Sequence, residues 1–367
     1  MKFRYKVVIG IAIFLTVSVL TLGLVVSHTS DCAPAPTAAA GTDTMKAIVY
    51  RCYGSPDVLE YTDTVRPAPA VDEVLVKVHA AAVNPLDWHY MRGSPYLMRM
   101  MSGLGAPSDP KFGVDFAGTI VAVGEDVTLF KTGDEVFGGA AGAFGEFVAV
   151  RESRAVTLKP ENMTFEQAAA VPIAGVTALQ ALRDLGKLQP GQKVLINGAS
   201  GGVGTFAVQI AKSLGAEVTG VCSTRNVQMV RSIGADHVFD YKKEDYIESG
   251  EVYDLIIDNV GNNSLSANRR VLKSDGVMVV IGGPKGDWIG PILSSITAPI
   301  MSMFVDQDIT TIMAVLRQDD LATLAGLMRD GEMTPVIDRS YQLSEVPDAI
   351  RYSEEGHARG KIVISLD

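Results

Sequence analysis

Lys193-Val-Leu-Ile-Asn197 followed by Gly198-Ala-Ser-Gly-Gly-Val-Gly204 decides the fold of this chain. The first five residues are a short apolar run entered from the turn Gln189-Pro-Gly-Gln192, the pattern of a strand buried on both faces. Val203, Ala207, Ile210, Ala211 and Leu214 then recur at helical spacing, and Gly215 supplies a stop. Val218-Thr-Gly-Val-Cys222 is a second strand. Glycines in such a turn let backbone N–H groups come close to a pyrophosphate, and the helix N-terminus adds its partial positive charge. Ala199, Ser200, Gly201, Gly202, Val203 and Gly204, in the spacing Ala-x-Gly-x-x-Gly, are therefore expected to hold a dinucleotide.

Which dinucleotide is read at the end of the second strand. An NAD enzyme places a carboxylate there for the ribose hydroxyls. This chain has Ser223-Thr224-Arg225-Asn226. Hydroxyls and a guanidinium attract a 2′-phosphate that a carboxylate would repel, so NADPH is the expected cofactor. Val252-Tyr-Asp-Leu-Ile-Ile-Asp-Asn-Val260 and Val277-Met-Val-Val-Ile-Gly-Gly283 read as further strands. Ligands sit at the C-terminal ends of strands in an open α/β sheet, so Asn259, Val260, Gly282 and Gly283 are expected at the nicotinamide. Tyr241, after a third strand, is placed to flank the adenine.

The chain has 367 residues, 47% of them hydrophobic, with a net charge of −10, enough for about two domains and a substantial core. An acidic chain with no basic run repels phosphate backbones, so no nucleic acid is expected as a partner. Cys32, Cys52 and Cys222 show no Cys-x-x-Cys spacing, so neither a disulfide framework nor a cysteine-built zinc site is expected. The first 44 residues stand apart from the rest. Val7 to Ser27 is a charge-free run of about 30 Å as a helix, preceded by Lys2, Arg4 and Lys6 and followed by a Pro/Ala linker. The first reading is a single-pass N-terminal membrane anchor; a cleaved secretory signal and translation from Met45 are the other two. The basic residues put the enzyme outside, whereas a dinucleotide site belongs inside, so the membrane face stays open.

Residues 45–150 differ in kind, with short Val- and Gly-rich strands such as Val74-Leu-Val-Lys-Val-His-Ala80 and Phe116-Ala-Gly-Thr-Ile-Val-Ala-Val-Gly124 that argue for a small β-barrel. Asn84-Pro-Leu-Asp87, Gly113-Val-Asp-Phe-Ala-Gly118, Thr132-Gly-Asp-Glu-Val-Phe137, Ala170-Val-Pro-Ile-Ala-Gly-Val-Thr-Ala-Leu179 and the glycine-rich turn occur in this order. Together they resemble the medium-chain dehydrogenase/reductase superfamily, in its zinc-free quinone-oxidoreductase (zeta-crystallin-like) branch. The resemblance implies an α/β chain: a GroES-like catalytic domain over 45–169, a Rossmann NADP-binding domain over 170–315, and a C-terminal return to the catalytic domain over 316–367. It implies a return strand in Arg359-Gly-Lys-Ile-Val-Ile364, with Lys361 at the cofactor, and leaves room for a homodimer.

Zinc enzymes of the superfamily carry Cys, His and Cys where this chain has Asn84, Val114 and Ala174, so no metal is expected. Without a Lewis acid, hydride delivery to an already activated acceptor is the feasible chemistry. The expected function is NADPH-dependent reduction of a quinone or α,β-unsaturated carbonyl. A trans-2-enoyl thioester reductase is the alternative enzyme, with Arg92 and Arg99 as the basic residues such a carrier would need, and a non-catalytic NADPH-binding membrane protein is the alternative outside catalysis. Asn84 is carried over from the family pattern as a catalytic hydrogen-bonding residue. His89 and Tyr90 stand where relatives have a Tyr or Lys and are the candidate proton donors.

Overall fold

The computed structural model describes all residues except 1–13, 15, 19, 35–40, 284, 285, 289 and 367. Its centre is a six-stranded parallel sheet in the order β10 (His237–Asp240), β9 (Glu217–Cys222), β8 (Lys193–Asn197), β11 (Tyr253–Asp258), β12 (Leu272–Val280), β13 (Asp308–Thr311). Both faces are covered, which is why β8 and β11 read as unbroken apolar runs. Val194, Ile196, Leu255 and Ile257 pack one way against Ala207, Val208 and Ile210 of the helix Gly202–Ser213. Leu195, Ile256 and Met278 pack the other way with Ala298 and Ile309. The strand order reverses between β8 and β11. A crevice therefore opens at their C-terminal ends, where Asn197 and Asp258 stand.

The second body is antiparallel. β3 (Glu73–Val83) pairs with β4 (Asp115–Val123), β6 (Phe147–Arg151) and β15 (Lys361–Ser365), and β4 continues through β5 (Glu135–Gly139) to β7 (Val156–Leu158). β14 (Ile337–Gln342) runs parallel to β15, so the last strands of the chain complete the first domain's sheet. Alternating Val74, Val76, Phe116, Ile120, Val136 and Val148 fill its interior. A hairpin of β1 (Thr44–Tyr50) and β2 (Leu59–Val65) lies against it, with Ile48 N–H donating to Phe144 O.

Two expectations are corrected at the N-terminus. Among the described residues no helix is long and apolar enough to cross a membrane, so the single-pass membrane location is withdrawn. Residues 7–13, 15 and 19 of the expected span lie outside the described residues. Helical residues 20–27 instead end against the enzyme body: Val26 is buried and Gly23 lies on Trp288. The buried Arg99 receives the end of that helix, donating to the carbonyls of Val26, Ser27 and His28 and to Thr29 Oγ1, with its guanidinium between the rings of Tyr53 and Tyr96. A cation at a helix C-terminus satisfies carbonyls that have no helical partner. Of the described residues in the apolar run 7–27 only Val26 is buried, whereas Phe14, Val17, Leu20, Leu22, Leu24 and Val25 are exposed, so the contact with the enzyme body is made at the end of the run. The second correction is that Cys32 and Cys52 form a disulfide, 20 residues apart with Cα atoms at 4.6 Å, joining this segment to the loop after β1.

Candidate active site

The glycine-rich turn is as tight as its sequence suggests. Gly198 has φ +78°, and a Cβ on Gly204 would lie 2.1 Å from Gly198 O, so no other residue fits there without moving the turn. Gly201 caps the helix Gly202–Ser213, whose first N–H groups have no helical acceptor by position. Ala199 is fully buried under this turn, beneath Gly220 of β9. These features leave a positively polarised helix N-terminus beside a glycine backbone, the chemistry that suits a pyrophosphate.

The residues expected at the adenosine lie at the ends of β9 and β10. Asn226, 4% exposed, donates to Ser200 Oγ at 2.9 Å and Ser223 Oγ at 3.3 Å, and so ties the glycine-rich turn to the specificity segment. Its Oδ1 is buried without a partner in the protein. Thr224 bonds the Asp240 carboxylate and holds it below the usual carboxylate range. Arg225 is exposed and donates to His357 O at 2.5 Å, reaching the segment before β15. Tyr241 is exposed beside the end of β9, with Lys242 Nζ 5.2 Å from its ring centroid. Sequence reading included Asn226 in the segment with Ser223, Thr224 and Arg225 but gave it no role, and did not single out Lys242.

The residues expected at the nicotinamide lie where β11 and β12 stop. Gly282 passes so close to Asn259 that a Cβ there would meet Asn259 O at 2.2 Å. Asn259 Nδ2 donates to Asn197 O at 2.8 Å while its Oδ1 is buried and unpartnered. Val260 is exposed at the rim, its Cγ2 2.8 Å from where a Cβ on Gly198 would be, and Gly283 lies against Gly261. Two orphaned amide oxygens, one at each end of the crevice, fit a long polar ligand.

Facing this crevice from the barrel is a buried polar cluster. Asn84 caps the helix Pro85–Arg92, and its N–H donates to Asp87 Oδ2 at 2.7 Å. Asn84 Nδ2 donates to Asp115 Oδ2 at 2.9 Å and Ala82 O at 3.4 Å, and its Oδ1 accepts from Lys361 Nζ at 2.6 Å. Lys361 Nζ is 3.5 Å from Asp115 Oδ2, and Asp115 Oδ1 accepts from Ile173 N. All four side chains are buried. Burial raises the Asp115 carboxyl against the pull of Lys361, raises Asp87 to about 7, and lowers Lys361. The Lys361 stem lies against Gly202, and Gly360 N donates to Ser200 O, so the cluster abuts the glycine-rich turn. Sequence reading picked out Asn84 and Lys361 but not Asp115 or Asp87 as members of the site.

His89 and Tyr90 are less well placed. His89 Nδ1 lies 2.6 Å from Ser94 O, a carbonyl that can only accept, so the ring carries its proton on Nδ1. Burial lowers its pKa, and the remaining Nε2 is a lone pair at neutral pH. Tyr90 is half-buried and lies on the side of Tyr50 and Tyr53.

A barrel laid beside a glycine-turn sheet, with a polar cluster at their junction, defines a two-domain dinucleotide oxidoreductase. Residues 70–161 match the alcohol dehydrogenase GroES-like domain and residues 233–364 the zinc-binding dehydrogenase family. The chain is 34% identical to the chloroplast envelope quinone oxidoreductase homolog of Arabidopsis thaliana, over 87% of this chain and 98% of that one. It is 34% identical to the mitochondrial NAD(P)H oxidoreductase RTN4IP1 of Mus musculus, over 90% and 91%. The quinone oxidoreductase of Coxiella burnetii superposes with a TM-score of 0.78 at 30% identity, over 89% of this chain and all of that one. The chain belongs to the medium-chain dehydrogenase/reductase superfamily, in its quinone-oxidoreductase group.

Proposed function

We propose that this protein reduces quinones or α,β-unsaturated carbonyls with NADPH and without zinc. The observation that carries the reading is the Lys361–Asn84–Asp115 cluster, which occupies the barrel side of the crevice around one of the zinc-ligand positions of zinc-dependent relatives. Val114 and Ala174 stand at the other two, and neither side chain binds a metal. NADPH, when bound, supplies the hydride. Gly201, Gly202 and Val203 receive the pyrophosphate on their N–H groups, Ser223, Thr224 and Arg225 receive the 2′-phosphate, and Tyr241 flanks the adenine. Asn259, Val260, Gly282 and Gly283 form the floor of the nicotinamide end. Lys361, anchored by Asn84 and Asp115, brings a positive charge to the glycine-rich turn and to the oxyanion left on the acceptor. Asn84 has both amide hydrogens committed, so its role is to hold Lys361.

Solvent supplies the last proton, because His89 is fixed as a neutral Nδ1–H tautomer. The thioester alternative loses its support: Arg99 is spent on carbonyls of residues 26–28, and Arg92 pairs with Glu354. The domain division at 169/170 and 315/316 belongs to this proposal. So does a homodimer through the edge strand β13, which exposed Met303, Phe304 and Met313 flank; light scattering at the monomer mass would remove it. The function is tested by following NADPH oxidation against quinones, enals and enoyl thioesters. Turnover with the first two classes supports the reading. Binding of NADPH with no turnover on any acceptor leaves the non-catalytic alternative, and turnover confined to thioesters leaves the other.

A further inference from the structure

We infer that Asp258 is a positioning residue for hydride transfer: its buried carboxylate holds the loop under the nicotinamide. The inference rests on the NADPH reading above and concerns a residue outside the direct cofactor contacts. Asp258 ends β11 and is 1% exposed. Among the described residues no lysine, arginine or histidine forms an ion pair with it, an unusual setting for a buried acid. Four N–H donors take the place of a cation. Oδ1 accepts from Asn197 Nδ2 at 2.8 Å, Val260 N at 3.1 Å and Gly261 N at 2.9 Å, and Oδ2 accepts from Asn268 Nδ2 at 3.2 Å.

The donors come from the parts of the site that must keep register. Asn197 immediately precedes Gly198 of the pyrophosphate turn. Val260 and Gly261 are the nicotinamide loop itself, bent so that both N–H groups point inward and Gly261 takes φ +68°. The Asp258 carbonyl accepts from Ile281 N and Gly282 N, which fixes the neighbouring strand end as well. Asn268 in turn accepts from Tyr246 OH at 2.7 Å, so the carboxylate is backed by a second layer. One side chain thus sets the height of Val260 relative to the turn that grips the pyrophosphate. Reacting atoms displaced by even about 1 Å lose rate steeply. Only the full negative charge satisfies three donors on one oxygen; an amide oxygen is a weaker acceptor, and the amide nitrogen beside it brings hydrogens against the Asn268 amide.

The test compares wild type with Asp258→Asn and Asp258→Ala in four measurements: melting temperature, NADPH affinity, kcat, and the face from which deuteride leaves stereospecifically labelled NADPD. We expect Asp258→Asn to stay folded, bind NADPH about 10-fold more weakly and turn over about 10-fold more slowly, with quinone KM little changed and facial selectivity reduced. A lower melting temperature with unaltered kcat, affinity and selectivity well below the transition would overturn the inference and leave Asp258 a structural residue. Should Asp258→Ala fail to fold, the Asn variant still decides the matter. Absence of NADPH turnover in the wild type would instead overturn the functional reading on which this rests.

Discussion

Lys361 Nζ donates a 2.6 Å hydrogen bond to Asn84 Oδ1, joining residues 277 positions apart in the sequence. β15 delivers the lysine and the N-cap of the helix Pro85–Arg92 delivers the asparagine, brought together because β15 pairs with β3. The bond joins two elements of the barrel, and the Lys361 stem lies against Gly202 of the glycine-rich turn, so it is expected to matter for both stability and cofactor binding. Removing one partner of a buried ion pair costs about 3–5 kcal/mol, because the other charge is left uncompensated. Lys361→Met should lose stability on that scale and bind NADPH at least about 10-fold more weakly. Lys361→Met with Asp115→Asn should recover much of the stability but not the binding. Denaturant titrations and fluorescence titrations with NADPH measure the two effects separately, and equal recovery of both would refute a cofactor role for Lys361.

The 2′-phosphate should be read by Arg225. Losing a charge-assisted contact costs about 1.5–3 kcal/mol, so Arg225→Ala is expected to weaken NADPH binding roughly 10–100-fold while NADH binding stays nearly constant. The contact to His357 O is made without cofactor and is lost for both dinucleotides alike, so it drops out of the ratio. Calorimetry with both dinucleotides gives that ratio directly. A wild type that binds the two equally would remove the basis for the assignment.

Stability should also depend on pH through Asp87. Burial raises its carboxyl to about 7 in the folded protein, against a usual value of 3.8. Between those values the unfolded chain has released the proton and the folded protein still holds it. Folding therefore weakens as pH rises from about 4 to about 7, by up to roughly 1.4 kcal/mol per unit, and the loss levels off above that. Asp87→Asn keeps an oxygen for the Asn84 N–H but cannot ionise. Its denaturation midpoint should change less between pH 5 and pH 8 than that of wild type; parallel changes in the two proteins would show that Asp87 is not the group responsible.

Chelation should leave turnover intact. Asn84, Val114 and Ala174 offer no set of ligands, and among the described residues no three His, Cys, Asp or Glu side chains gather to hold an ion. Activity that disappears after exhaustive dialysis against a chelator and returns with zinc would refute the zinc-independent reading.

The parts of this protein that were legible in its sequence are those specified locally. Lys193–Gly204 contains its own strand, turn and helix start, and the Ser-Thr-Arg segment follows on the next strand. The Lys361–Asn84–Asp115 cluster was legible only residue by residue. Asn84 meets Asp115 across 31 positions and Lys361 across 277, and no spacing rule covers a contact set by the pairing of β15, β3 and β4. Arg99 looked like a surface cation suited to an anionic carrier, yet it is buried under carbonyls of residues 26–28, a partner that no window around position 99 contains. Cys32 and Cys52 were passed over for the same reason: their pairing depends on where the N-terminal segment docks.

The chemistry itself is best tested at Asn84 and His89 together. Hydride addition to an enal or quinone leaves charge on oxygen, and that charge needs a donor within about 2.7–3.1 Å. Asn84 Nδ2 already donates to Asp115 and Ala82 O, so the ammonium of Lys361 is the donor that Asn84 presents. Asn84→Ala keeps the lysine but removes its 2.6 Å anchor, leaving only the 3.5 Å pairing with Asp115. A misplaced oxyanion donor typically lowers turnover by about 10²–10³-fold, and that is the expected loss in kcat for enals. Quinones should lose less, because their reduced forms are weaker bases. His89→Ala should cost less than about 10-fold with either acceptor, since the ring gives its one proton to Ser94 O and burial keeps it neutral. A solvent-supplied proton also predicts no bell-shaped limb in kcat near the pKa of a histidine. Full kcat in Asn84→Ala on both acceptor classes would remove the catalytic assignment of this cluster and leave only the cofactor site; a loss in His89→Ala as large as that in Asn84→Ala would move the proton donor back onto the imidazole.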